Sequence, residues 1–135
     1  MSDAPKRLLI IDDEKDVSEV LKFKFEKLGF QVQLSFDGLE GFQKALLFKP
    51  HCILLDIRMP REDGLTFLRK LRAYRDGDPA LQSNLRKTPV IVLTAARDSM
   101  KSLFQVEGIS DYLEKPYDFE VLKGRIEQSI ESSKV

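Results

Sequence analysis

The sequence predicts an open, doubly wound α/β domain, with five parallel strands in one sheet and helices on both faces. Short strand-like runs alternate with helix-period segments five times along the chain, and such alternation implies parallel pairing through right-handed crossovers. Four of these runs also end on residues with chemistry. Asp12 and Asp13 follow Leu8-Leu9-Ile10-Ile11, and Asp56 follows Cys52-Ile53-Leu54-Leu55. Thr94 follows Val90-Ile91-Val92-Leu93, and Lys115 follows Tyr112-Leu113-Glu114. Open α/β sheets bind ligands beyond the carboxyl ends of their strands, so these five side chains are expected along one edge.

Each element has its own signal. Arg7–Ile11 is a continuous aliphatic run, as expected of a strand covered on both faces. Asp16–Leu28 repeats Val17, Val20, Leu21, Phe25 and Leu28 at helical spacing, and Gly29 follows as a C-terminal stop. Phe30–Ser35 alternates with period two and reads as the second strand. Gly38–Lys49 carries Leu39, Phe42, Ala45 and Leu46 on one helical face, ended by Pro50. Cys52–Asp56 is the third strand. Gly64–Tyr74 is a helix with Leu65, Leu68 and Leu71 inward. Pro89–Leu93 is the fourth strand, Asp98–Glu107 a short helix closed by Gly108, and Ser110–Glu114 the fifth strand. Asp118 caps a last helix, Phe119–Ser132, with Phe119, Leu122, Ile126 and Ile130 on one stripe. Arg75–Thr88 is long for a helix-to-strand connection. Its Asp76-Gly77 and Asp78-Pro79 pairs are turn signals, and it reads as a solvated excursion or a partner-contact loop.

Composition bounds the function. The 135 residues form one domain, 1–135, with a core from about residue 6 to about residue 132. Apolar content is 42% and charged content 33%, which suits a globular protein. Lys+Arg and Asp+Glu both number 22, so net charge gives no reason to expect nucleic acid or a membrane surface as partner. No long apolar stretch or charged-then-apolar leader is present, and a cytoplasmic location is expected. The one cysteine, Cys52, opens an apolar run and reads as a buried thiol in a reducing compartment. His51 precedes a strand and is expected to cap it or face solvent. Phe23 falls off the apolar helix face and reads as a surface aromatic.

Three carboxylates, a hydroxyl and an amine at one edge suit a magnesium-dependent site for a phosphoryl group. Mg²⁺ favours a few carboxylate oxygens and retained waters. It also relieves repulsion among Asp12, Asp13 and Asp56. A helix N-terminus that attracts acidic residues explains Glu14 and Asp16 better than it explains the aspartate pair. Asp56 is a weak nucleophile that can form an aspartyl phosphate once the phosphoryl charge is neutralised. Lys115 supplies a fixed positive charge, and Thr94 a hydroxyl able to donate to a phosphoryl oxygen.

The ordered motifs Ile10-Ile11-Asp12-Asp13-Glu14, Leu55-Asp56-Ile57-Arg58-Met59-Pro60 with Asp63-Gly64, Pro89-Val90-Ile91-Val92-Leu93-Thr94-Ala95, and Gly108 through Asp111-Tyr112-Leu113-Glu114-Lys115-Pro116 resemble the receiver domain of two-component response regulators. The resemblance covers essentially the whole chain. It departs in the long segment before Pro89 and in a stretch from Thr94 to Lys115 that is about one residue short. It implies the flavodoxin-like (βα)5 fold and a signalling switch, not an enzyme beyond weak self-phosphorylation and self-dephosphorylation. By resemblance, Asp56 accepts the phosphoryl group from a sensor histidine kinase or a histidine phosphotransfer protein. Asp13, Asp56 and the Arg58 backbone carbonyl ligate Mg²⁺, with Asp12 acting through water. Thr94 and Tyr112 form the switch pair, and the Lys115–Pro116 bond is cis. The surface of Asp98–Glu107, Ser110–Glu114 and Phe119–Ser132 is the expected output face toward a protein target. Arg58 and Ala96 would overlook the site. Neither can act as a base toward water, so slow self-dephosphorylation is expected. A phosphorylation-dependent homodimer and a non-phosphorylated scaffold remain alternatives. A haloacid-dehalogenase-type phosphatase fits less well, because Glu14 stands two residues after Asp12 where that class uses aspartate. A flavodoxin-type cofactor binder fits less well too, because the loop Asp12-Asp13-Glu14-Lys15-Asp16 repels phosphate.

Overall fold

The computed structural model describes residues 4–57, 61–74, 87–94, 109 and 111–133, with backbone alone at 57, 61–65 and 94. In chain order the elements are β1 (Arg7–Ile11), α1 (Lys15–Lys27), β2 (Gln31–Ser35), α2 (Gly38–Phe48), β3 (Cys52–Ile57), α3 (Arg61–Ala73), β4 (Val90–Thr94), β5 (Asp111–Glu114) and α4 (Phe119–Ser133). The strands form one parallel sheet in the order β2-β1-β3-β4-β5. This is the doubly wound architecture expected, and it places the β1 and β3 termini side by side at the centre. The expected helix over 98–107 and most of the long segment over 75–88 lie outside the described residues.

Strand alternation divides the core into two layers. Leu9, Ile11, Ile53, Leu55, Val90 and Val92 pack with Ala45, Phe67, Leu68 and Leu71 under α2 and α3. Leu8, Ile10, Cys52, Leu54, Ile91 and Leu93 pack with Leu21, Phe25, Leu122, Ile126 and Ile130 under α1 and α4. Cys52 is the expected buried thiol, and burial pushes its pKa up to about 12. The Lys115–Pro116 peptide is cis.

Some faces were misassigned from periodicity. Val20, Leu28 and Leu39, expected inward, are exposed. The residues of α1 that reach the core are Ser18, Leu21 and Phe25. On α2 they are Gly41 and Ala45, because that helix lies so close to β1 that only small residues fit beneath it. A Cβ at Gly41 would fall 2.5 Å from Ile11 Cδ1. α3 begins at Arg61, three residues before the expected Gly64, and its first turn contains Glu62 and Asp63, which the N-terminal helix dipole favours. His51 ties the amino ends of two strands together: its Nδ1 accepts from the Arg7 amide at 2.9 Å, and its own amide donates to the Arg7 carbonyl at 2.8 Å. Phe23 is a surface aromatic, with the Lys27 ammonium 5.1 Å from its ring centroid.

Candidate functional site

Parallel register brings the polar strand ends together. Ile11 pairs with Leu55, so Asp12 and Asp56 are neighbours on adjacent strands. Thr94 ends β4, paired with Ile57 on one side and Glu114 on the other. Lys115 follows β5 directly.

Asp12 is buried at the end of β1, where its amide donates to the Ser35 carbonyl at 3.0 Å and extends the β1–β2 ladder. Its Oδ1 accepts from the Glu14 amide at 2.9 Å. Asp56, equally buried, has Oδ2 bonded to Lys115 Nζ at 2.5 Å. The remaining oxygens, Asp12 Oδ2 and Asp56 Oδ1, are buried without a hydrogen-bond partner among the described residues. Buried carboxylate oxygens are costly without partners. Burial pushes the Asp12 carboxyl up to about 6; the Glu14 amide opposes the rise, the Asp56 charge and the hydrogen bond that a protonated Asp12 can make to Asp56 add to it, and Lys115 counters it.

Two orphaned hard oxygens from adjacent carboxylates fit a magnesium ion, which is held through few protein oxygens and several waters. Asp13 is exposed beside them. Among the described residues, no three His, Cys, Asp or Glu side chains converge as a ready-made cation cage. The Arg58 carbonyl and the position of Ala96 lie outside the described residues, as does the side chain of Thr94. Tyr112 is half-buried against the α2/α3 layer of the core.

Tyr117 was not anticipated as a site residue. Burial raises its pKa, and the Asp56 and Asp12 charges raise it further, so the hydroxyl lies within their field. The signal available in sequence was its place two residues after Lys115. Its ring lines a cavity of about 440 Å³ together with Val17, Val20, Leu21 and Phe119, with Asp16 and Lys24 also on the wall.

The strand order β2-β1-β3-β4-β5 thus carries a buried carboxylate pair and a lysine at its carboxyl edge. Residues 8–127 match the family model described as response regulator receiver domain, and the chain belongs to that family, a signalling module of two-component systems. The chain is 35% identical over 121 residues to the DNA-binding dual master transcriptional regulator RpaA of Synechocystis sp., covering 89% of this chain and 47% of that protein. It is 40% identical over 127 residues to the probable C4-dicarboxylate response regulator DctR of Halalkalibacterium halodurans, covering 90% and 50%. It thus spans about half the length of these curated relatives. Among solved structures, the receiver domain of sensor histidine kinase PA1611 from Pseudomonas aeruginosa is 29% identical with a TM-score of 0.77, covering 94% of this chain and 98% of that one. That structure is described with a magnesium ion coordinated in the active site cleft.

Proposed function

We propose that the chain is a single receiver domain over 1–135 whose Asp56 accepts a phosphoryl group from a sensor histidine kinase or a histidine phosphotransfer protein. The observation that carries this is the state of Asp56: buried, one oxygen on Lys115, the other unpartnered beside the unpartnered oxygen of Asp12. An Asp56 oxygen attacks the phosphorus, a P–O bond forms, and the P–N bond of the phosphohistidine breaks. The departing imidazole keeps the bonding pair and takes a proton from solvent. Lys115 orients the Asp56 carboxylate beforehand and can move to a phosphoryl oxygen afterwards. The Thr94 hydroxyl donates to another phosphoryl oxygen, with Tyr112 following it inward as the second half of the switch. Asp12, Asp13, Asp56 and the Arg58 carbonyl would hold Mg²⁺, which supplies charge neutralisation for the transferred group.

The transferred group adds about −1.5 to −2 charges at neutral pH. Lys115 and Thr94 satisfy this charge better in one arrangement than in the other, so phosphorylation shifts a pre-existing equilibrium. The readout goes to a protein target through the face that includes β5 and α4. A cytoplasmic setting belongs to the same proposal. Self-dephosphorylation is slow, since neither Arg58 nor Ala96 can serve as a base.

The test is intact-mass analysis after incubation with acetyl phosphate, with Mg²⁺ present or chelated, for wild type and Asp56→Asn. The expected outcome is gain of one phosphoryl group, dependent on Mg²⁺ and absent in Asp56→Asn. No gain in wild type that demonstrably binds Mg²⁺ would replace the proposal with the scaffold reading.

A further inference from the structure

Asp12 lies one residue beyond β1, and its amide donates to the Ser35 carbonyl at 3.0 Å. That bond is only as fixed as Ser35 itself. β2 is an edge strand with β1 as its one neighbour, and Ser35 is its last residue. A strand end paired on one side frays unless something else holds it.

The first turn of α2 holds it. Asp37 is the N-cap, and its side chain accepts from the Glu40 amide at 2.8 Å. In a capping box the carboxylate at this position reaches back to the amide of the N-cap residue. Glu40 reaches farther. Its Oε1 accepts from the Phe36 amide at 3.1 Å and from the Ser35 hydroxyl at 3.2 Å. The Ser35 side chain is fully buried, and its hydroxyl also lies 3.0 Å from the Asp37 carbonyl. The Phe36 amide holds the Glu40 carboxyl below the usual carboxylate range, so Glu40 accepts as an anion at neutral pH, which strengthens both bonds. Its other oxygen faces Lys44, whose ammonium donates to the Leu34 carbonyl. Glu40 thereby ties the helix to the end of β2 rather than to its own cap. The helix in turn rests on β1. A Cβ added at Gly41 would lie 2.5 Å from Cδ1 of Ile11, the residue before Asp12. The same turn thus holds the end of β1 directly by packing and indirectly by hydrogen bonds through β2.

We propose that Glu40 and Ser35 are positioning residues for the phosphoryl site, fixing the Ser35 carbonyl and through it the Asp12 backbone, so that the Asp12 carboxylate meets Mg²⁺ without rearrangement. The inference rests on the reading of Asp12 as part of the metal site. Groups that bind a metal must be held to within about 0.5 Å, and removing a residue that orients one of them costs about tenfold or more in metal affinity. A helix cap of purely structural role would lower stability and leave that affinity alone.

The test is calorimetric titration of the full chain with Mg²⁺, without phosphodonor, together with hydrogen exchange of the Asp12 amide read by NMR. Glu40→Ala is expected to weaken Mg²⁺ binding about tenfold and to speed exchange at Asp12. Glu40→Gln, whose side-chain oxygen can accept both bonds, stays close to wild type. Loss of the Ser35 hydroxyl in Ser35→Ala weakens binding less than Glu40→Ala does, and the two losses are not additive, because both act through one carbonyl. Ile130→Val loosens the buried core beneath α4 and lowers stability without changing Mg²⁺ affinity. Glu40→Ala that binds Mg²⁺ as tightly as wild type overturns the proposal. So does Glu40→Gln that binds as weakly as Glu40→Ala, or an equal loss in Ile130→Val. A wild type that takes no phosphoryl group from acetyl phosphate, with these Mg²⁺ shifts present, would overturn the phosphoacceptor reading and leave the positioning role supported.

Discussion

At the residue scale, the cost of the site is concentrated on Asp12. Its carboxylate is buried, one oxygen lacks a partner, and a second carboxylate stands beside it. Without a cation the folded protein must either tolerate that charge or take up a proton. Asp12→Asn removes the charge and retains the acceptor for the Glu14 amide. In metal-free buffer at pH 7.5 it is expected to stabilise the fold by about 1–3 kcal/mol, read from urea unfolding. The pH dependence has a definite sign. The folded pKa of Asp12 is raised from 3.8 to about 6, so its contribution to stability is fully present below about 4 and is lost as pH rises through about 6. The advantage of Asp12→Asn should therefore vanish near pH 4 and be complete above about 7. Added Mg²⁺ should narrow the gap by stabilising wild type more than the variant. An Asp12→Asn protein less stable than wild type at pH 7.5 without metal would contradict this account of the buried pair.

At the scale of elements, the helices were legible as helices, but their faces were not fully so. Val17, Leu21 and Phe25 mark the inner face of α1, yet Val20 and Leu28 share the apolar vocabulary and lie outside it. Leu39 misled in the same way on α2, where the residue against β1 is a glycine. Hydrophobicity cannot signal a contact made by the absence of a side chain. Gly41 and Gly124 separate the two meanings of a helical glycine. Glycine to alanine in a helix interior gains up to about 1 kcal/mol in propensity. At Gly124 nothing lies within 4 Å of the added carbon, so Gly124→Ala should raise stability by about that amount. At Gly41 the new atom meets Ile11 Cδ1 at 2.5 Å and Cγ1 at 3.0 Å, and Ile11 is fully buried, so its side chain must shift within the core. Overpacking of this kind costs about 1–3 kcal/mol, so Gly41→Ala should destabilise. Equal effects at the two positions in thermal unfolding would remove the close α2–β1 approach as the reason for glycine at position 41.

At the scale of the whole molecule, β3 is the hinge between the two core layers and between the core and the site. It pairs with β1 on one side and β4 on the other, and its side chains alternate from one layer to the next until Asp56. That unbroken apolar run is why the sheet and its carboxyl edge could be read from sequence, down to the adjacency of Asp12, Asp56 and Lys115. Tyr117 was not legible, because its relation to the carboxylates depends on how the chain turns after β5, which no periodicity records. The same central position makes β3 the most sensitive strand. Leu54 is fully buried between α1 and α4, so Leu54→Ala removes transfer energy and leaves a cavity in a layer held from both sides. The expected loss is about 2–5 kcal/mol, with an unchanged denaturant slope. Val121, on α4, is 44% exposed, and Val121→Ala should stay within about 0.5 kcal/mol. Because Leu54 lies two residues before Asp56, the folded fraction of Leu54→Ala also reports on coupling. If the core serves only to hold the strand in register, that fraction should still take one phosphoryl group from acetyl phosphate. A folded Leu54→Ala protein that takes none would mean that the acceptor geometry depends on the packing beneath it as well as on the strand.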